Sequence, residues 1–318
     1  LAINKTYPVR HAGRSEIMSH FRGSGGTVHT KTYMEKDFSL GTSTIPLCGG
    51  EQTNQLFVNY KRNPEVKNFR DSATVLYKYL TDATIIGEHE TSVDGNFTGE
   101  MFQKNQGWVY TMQKDNVGLM TCIPNLVNAP LNNDTLNLCI MFAGHYGSVT
   151  RVIANGKDLI EGQEVCPVSI ETGQVYIHIV PLLPTNLPRK AALRFGRQNA
   201  FDVLELINYE GEKREFTEIE LSHVLNGYVM TIESKARYAS LEAFHAEKSD
   251  FRLTDYLYSE HRFLQFFRDD VDFELVYTPD PFGIQTESID GRPVERPMYD
   301  SNQINVASLP FMTEKVER

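Results

Sequence analysis

Between Ser19 and Ser43 the chain gathers groups that move protons and hold anions. His20, Arg22, His29 and Tyr33 flank the run Gly23-Ser24-Gly25-Gly26. An imidazole exchanges protons near neutral pH, a phenol hydroxyl donates and accepts, and a guanidinium grips carboxylates through a planar fork. Glycine reaches backbone angles that other residues avoid, so the glycine run predicts a turn that brings His20, Arg22 and His29 close together. A plain surface hairpin is the other reading of the same turn. A phosphate loop is rejected, because no Lys-Ser/Thr follows and the residues after Gly26 read as a strand rather than a helix. His29 and Tyr33 are four apart, which in a strand sets them on one side.

Other chemistries find little footing. There is no Gly-x-Ser-x-Gly elbow, His-Glu-x-x-His or Cys-x-x-Cys motif, so serine hydrolase, zincin and thioredoxin-like readings lack support. Cys48, Cys122, Cys139 and Cys166 are too widely spaced for a zinc site and too few for a disulfide scaffold, and read as buried free thiols. The acids Asp269, Asp270, Asp272 and Glu274 read as a wet sheet face rather than a metal site. His178 alternates with Val175, Ile177 and Ile179 and reads as an ordinary sheet residue on the opposite face. His145 sits on a predicted turn and is a candidate to line a cleft, whereas His245 and His261 show no partner in the sequence. A carboxylate pair for glycoside hydrolysis stays open, since such acids come from distant segments.

The elements that must position these groups are strands. Runs at Thr27–Met34, Gln55–Tyr60, Thr74–Leu80, Trp108–Gln113, Val117–Cys122, Thr135–Phe142, Val175–Pro181, Phe201–Ile207, Tyr228–Glu233 and Val271–Tyr277 recur with turn residues between them. Asn155-Gly156 and Asp290-Gly291 carry the chemistry of tight type I′ hairpin turns. Only Lys235–Glu247 reads as a helix, with Tyr238, Leu241 and Phe244 at three-residue spacing on one face. The expected fold is all-β: a large supersandwich of stacked antiparallel sheets with one short helix, a single domain over residues 1–318 with a weak break near 181–190. There, Pro181-Leu182-Leu183-Pro184-Thr185-Asn186-Leu187-Pro188 interrupts regular structure and joins two layers or halves.

Composition sets further bounds. Of the 318 residues 41% are hydrophobic, enough for a large core, and the 41 acidic against 31 basic side chains give a formal charge of −10. That balance argues against nucleic acid and anionic membranes as partners. The longest apolar runs fall well short of the roughly 20 residues of a membrane helix. The densest basic cluster, Arg189, Lys190, Arg194 and Arg197, is either a local anion patch or a solvated surface. A single Trp, Trp108, reads as packing rather than as a sugar platform. Sequons at Asn4, Asn96 and Asn133 say little about secretion. The chain opens at Leu1 with no basic-then-apolar leader, and reads as a piece of something longer.

The segment Phe21-Arg22-Gly23-Ser24-Gly25-Gly26-Thr27-Val28-His29-Thr30 resembles the start of the C-terminal β-sandwich domain of heparinase II/III-like polysaccharide lyases, in which an arginine-glycine-small segment precedes a histidine and a strand. His29-Thr30 stands where the family has His-Asn-Thr. The stretch Phe263 to Tyr277, with Ile289-Asp290-Gly291-Arg292-Pro293-Val294, looks like the late strands and hairpin of such sandwiches, so the resemblance covers most of the chain. It implies β-elimination on acidic, uronic-acid glycans, with the active site in a cleft between this domain and an N-terminal helical toroid absent here. It further implies His29 as proton-transfer partner, Tyr33 as supporting donor, Arg22 as carboxylate clamp, and His20, Gln52 and Asn54 as substrate-binding residues. No cofactor is called for and no metal ligand is assigned, and the resemblance implies a secreted or periplasmic protein. A noncatalytic structural or carbohydrate-binding β-sandwich is the competing expectation.

Overall fold

The computed structural model describes residues 15–23, 26–44, 55–61, 72–80, 108–123, 133–143, 149–182, 192–198, 201–217, 219–220, 226–268, 271–279 and 282–295. The chain begins in a first sheet with β1 (Ser15–Gly23), β2 (Gly26–Met34), β3 (Phe38–Thr44), β4 (Gln55–Lys61) and β5 (Ser72–Leu80). It then alternates between two layers. β6 (Trp108–Lys114) and β7 (Val117–Ile123) lie in a second sheet, and β8 (Asn133–Ala143) returns to the first. β9 (Val149–Ala154) and β10 (Lys157–Asp158) belong to the second, β11 (Gln163–Glu164) to the first, and β12 (Val168–Thr172) and β13 (Val175–Pro181) to the second. β14 (Ala192–Gln198) and β15 (Phe201–Arg214) complete the first sheet, and β16 (Asn226–Ser234) the second. A 3₁₀ turn at Lys235–Arg237 and the helix α1 (Leu241–Lys248) then lead into a third sheet. That sheet contains β17 (Arg252–Tyr258), β18 (His261–Arg268), β19 (Val271–Pro279), β20 (Phe282–Ile289) and β21 (Arg292–Pro293).

The spatial orders are β1-β2-β3-β4-β5-β8-β15-β14-β11, β10-β9-β12-β13-β16-β7-β6 and β17-β18-β19-β20-β21. The fold is therefore all-β and sandwich-like, with antiparallel sheets stacked in layers. Two-residue alternation explains the stacking. In the second sheet Val168, Ile170, Val175, Ile177, Ile179, Tyr228, Met230 and Ile232 meet Leu40, Leu56, Val58, Ile140, Phe142 and Leu204 of the first sheet in one apolar core. Residues of opposite parity on the same sheet, Val117, Leu119, Val180, Leu182 and Val229, meet Leu264, Phe266, Val271, Phe273, Leu275 and Tyr277 of the third sheet. The middle sheet is thus covered on both faces. Each fully buried aliphatic or phenyl side chain contributes roughly 1.5–3 kcal/mol of transfer free energy to that stacking.

Two glycines of the middle sheet allow the close approach. A Cβ on Gly118 would come within 2.4 Å of Leu56 Cδ1, so a larger residue in β7 would push that leucine of the first sheet aside. Gly227 has φ of 140°, and a Cβ there would lie 2.1 Å from the Met120 carbonyl oxygen.

The turns follow the sequence. Asn155-Gly156 (φ 52° and 73°) and Asp290-Gly291 (φ 52° and 70°) both take the left-handed conformation. In β19, Val271, Phe273 and Leu275 are buried while Asp272 and Glu274 are partly exposed, as the alternation predicts. The break near 181–190 lies between β13 of the second sheet and β14 of the first, so its flanks belong to different layers. The predicted helix over 235–247 is shorter than expected. Ser240 interrupts it, because its hydroxyl accepts the Ala243 N–H at 3.2 Å and caps a helix that starts only at Leu241. Tyr238 lies outside that helix yet still packs on Phe244, with ring centroids 5.0 Å apart.

Candidate functional site

The glycine-flanked segment forms an edge hairpin. β1 pairs with β2 so that His20 lies directly opposite His29 and Arg22 opposite Thr27, with Gly23 facing Gly26 at the turn. The backbone thus brings the two histidine positions and the arginine position to one end of the first sheet. Gln52 and Asn54 lie outside the described residues, as does His145.

Tyr33 lies further along β2, opposite Glu16. Its ring is 2% exposed and packs on Phe38 in the core between the first two sheets. Its hydroxyl donates to Glu35 Oε1 at 2.6 Å. The sequence placed Tyr33 beside a reacting centre as a donor; the structure places it where it anchors β2 to the core. Glu35 in turn receives Arg237 of the 3₁₀ turn at 2.8 Å, which ties this sheet edge to the segment after β16. Thr32 and Met34, on either side of Tyr33, are half-buried, and Lys31, two residues before it, reaches across to the Gln113 carbonyl oxygen at 3.0 Å.

The basic cluster divides. Arg189 and Lys190 lie outside the described residues. Arg194 donates to Glu205 at 2.8 Å and to Glu210 at 3.1 Å, and the Glu205 hydrogen bond raises its pKa above the ordinary arginine value. A guanidinium neutralised by two carboxylates is a weak anchor for a polyanion. Two cavities share Glu161: one of about 340 Å³ lies beside β9 and Phe195, and one of about 210 Å³ lies beside β14 and β15. Arg151 in the larger one is likewise engaged, by Asp158 at 2.7 Å and Glu242 at 2.5 Å. Cys166 is a half-buried free thiol whose pKa burial pushes up, and the Gln163 amide donates to its sulfur at 3.4 Å. Among the described residues no group of histidine, cysteine, aspartate and glutamate side chains is arranged to hold a metal ion.

Sequence reasoning missed a polar cluster under α1. Ser169, His178 and His245 are buried together and hydrogen-bonded. The strand alternation around His178 showed only that it faces away from Val175, Ile177 and Ile179. Nothing local in the chain revealed what it faces.

A second feature lies on the outer side of the third sheet. Tyr256 is 47% and Tyr258 76% exposed, and Tyr256 stacks on Phe263 with centroids 5.1 Å apart at 29°. Beside them Arg252 sits over the Phe267 ring at 4.5 Å. The chain matches no protein-family model, no curated protein and no solved structure.

Proposed function

We propose that this chain is the β-sandwich module of a polysaccharide lyase-like protein that acts on acidic, uronic-acid glycans by β-elimination. The observation that supports this reading best is the hairpin register, which sets His20 opposite His29 and Arg22 two positions nearer the turn, at the edge of a stack of antiparallel sheets. The chemistry asks for those residue types. A base takes the proton beside the uronate carboxylate, the electron pair forms a carbon–carbon double bond, and the bond to the glycosidic oxygen breaks as that oxygen gains a proton. A guanidinium neutralises the carboxylate while charge builds on it. In this reading His29 and His20 handle the proton and the substrate, Arg22 clamps the carboxylate, and Gln52 and Asn54 bind sugar hydroxyls. Tyr33 fixes the strand that carries His29, and a helical toroid of the full-length protein closes the cleft.

The test is the absorbance of the unsaturated uronate product when the protein, in its full natural length, is incubated with a panel of acidic polysaccharides. Product that His29→Ala reduces by more than about a hundredfold is the expected result. Product formation unchanged in that variant, or none with any acidic glycan, overturns the proposal.

The exposed Tyr256 and Tyr258 favour a second reading, a noncatalytic carbohydrate-binding sandwich that offers flat aromatic faces to sugar rings. Glycan binding that Tyr258→Ala abolishes and His29→Ala leaves intact, with no product, would select it.

A further inference from the structure

Ser169 on β12 and His178 on β13 are directly opposite each other in the sheet register, on the face that α1 covers. Neither is exposed to solvent. Ser169 Oγ lies 2.8 Å from His178 Nδ1 and 2.9 Å from Nδ1 of His245 on α1. The two imidazoles meet edge to face at 5.5 Å, and the Phe244 ring seals His178 at 6.2 Å. His178 Nε2 is buried with no hydrogen-bond partner.

One hydroxyl carries one proton, so Ser169 donates to one imidazole and accepts from the other. Were Ser169 to donate to His178, the Nε2 of that ring would carry an N–H with nothing to receive it, which buried sites avoid. The geometry therefore makes His178 the donor from Nδ1 and Ser169 the donor to His245 Nδ1. The arrangement has no room for another proton. On His178 it would create the orphaned N–H. On His245 it would turn a second donor toward Ser169 and displace the hydroxyl proton from its acceptor.

The surrounding charges add to that cost. From α1, Lys248 approaches Glu233 at 3.7 Å and Glu247 at 2.9 Å. From the third sheet, Arg268 donates at 3.0 Å to Thr231, which lies opposite His178 on β16. Tyr176, also on β13, stacks on Phe244. Glu233 is the carboxylate of β16 on this side, and Lys248, Arg237 and Asn116 already engage it. The last turn of a helix favours a cation, but burial outweighs that pull at His245 and lowers its pKa. At His178, burial and then the charges of His245, Arg268 and Lys248 hold the pKa well below the ordinary 6.5.

α1 is also the crossover, since it follows the last strand of the second sheet and precedes the first strand of the third. We propose that Ser169, His178 and His245 form a proton-controlled latch that holds α1 on the second sheet at neutral pH and releases it when an imidazole is protonated. A histidine whose folded pKa lies below its unfolded one contributes stability that is complete above about 6.5 and is lost as the pH falls toward the folded value. The latch is thus closed near pH 8 and opens in the acid range.

Hydrogen exchange of the intact chain at residues 241–248, corrected for the intrinsic pH dependence of exchange, tests this between pH 8 and pH 5. Protection there falls below 6.5 by up to about tenfold per pH unit for each histidine that gains a proton on opening, while the core strands β12 and β13 stay protected. The double variant His178→Gln, His245→Gln, which lacks the titrating groups, shows a flat profile. Constant protection in the wild type, or an equal fall in the double variant, overturns the latch. If that variant does not fold, nitrogen chemical shifts of labelled histidine in the wild type decide: a neutral His178 protonated on Nδ1 at pH 7 supports the latch, and a charged ring or the Nε2–H form overturns it.

Discussion

The two faces of the second sheet are built by alternate residues of the same strands, and they hold the first sheet and α1 by different physics. The face toward the first sheet is apolar along Val168, Ile170, Val175, Ile177, Ile179, Met230 and Ile232. On the outer face, Val117, Leu119, Val180, Leu182 and Val229 meet the third sheet as a second apolar surface, whereas the patch under α1 interleaves Ser169, Tyr176, His178, Thr231 and Glu233 with a few apolar contacts around Ile153, Leu241 and Phe244. Apolar burial is nondirectional and has no proton to gain or lose, so the first face is insensitive to pH. Buried hydrogen bonds demand orientation and a fixed protonation state, so the patch under α1 is specific and vulnerable.

The largest effect falls on the apolar face. Ile177→Ala removes a fully buried side chain from the middle of a two-layer core, and large-to-small changes of this kind cost about 2–5 kcal/mol. Denaturant unfolding at pH 8 and at pH 6 gives the same loss if the face is as apolar as its residues. A loss that shrinks with acidification would erase the contrast between the faces.

Ser169→Ala sharpens the contrast from the other side. It leaves two imidazoles without their shared partner, and an unsatisfied buried polar group costs about 1–3 kcal/mol. Measured by the same unfolding, the loss is full at pH 8 and diminishes below about 6.5, because the wild type itself gives up the latch there. Equal losses at both pH values would reduce Ser169 to a packing residue.

The same contrast explains what the sequence made legible. Strand parity is a local signal, so the outward turn of His178 and the burial of Val271, Phe273 and Leu275 against Asp272 and Glu274 could be read directly. So could the reversals at Asn155-Gly156 and Asp290-Gly291. Partners are nonlocal: Ser169 is 9 residues from His178 and 76 from His245, and no spacing rule links them. Sheet order is equally hidden, since β8 inserts between β5 and β15. Parity also tells which residues share a face without telling which face is inside. Tyr33 has the spacing of a site residue relative to His29, yet its face is the core side of the first sheet. Gly118 carried no signal at all, because its role depends on a leucine of another layer.

The smallest effect tests whether α1 is held by its latch or by its own helical chemistry. Ser240 caps the helix by accepting the Ala243 N–H, and Ser240→Ala removes a contribution of about 1 kcal/mol. Glu242 in the first turn has its pKa drawn down to about 2, first by its own backbone N–H and then by Arg151 and Ser240. A carboxylate held below its ordinary 4.5 adds stability that is complete above 4.5 and is lost as the pH falls toward 2. Glu242 therefore acts in an acid window that lies below the histidine one, whereas the Ser240 cap, which has no titrating group, acts at every pH. Hydrogen exchange at residues 241–248 in Ser240→Ala should show a uniform loss of protection from pH 8 to pH 5, superimposed on an unchanged midpoint for the latch. If the cap variant also moves that midpoint, the helix end and the imidazoles form one cooperative unit, and the polar patch is held by a network larger than three side chains.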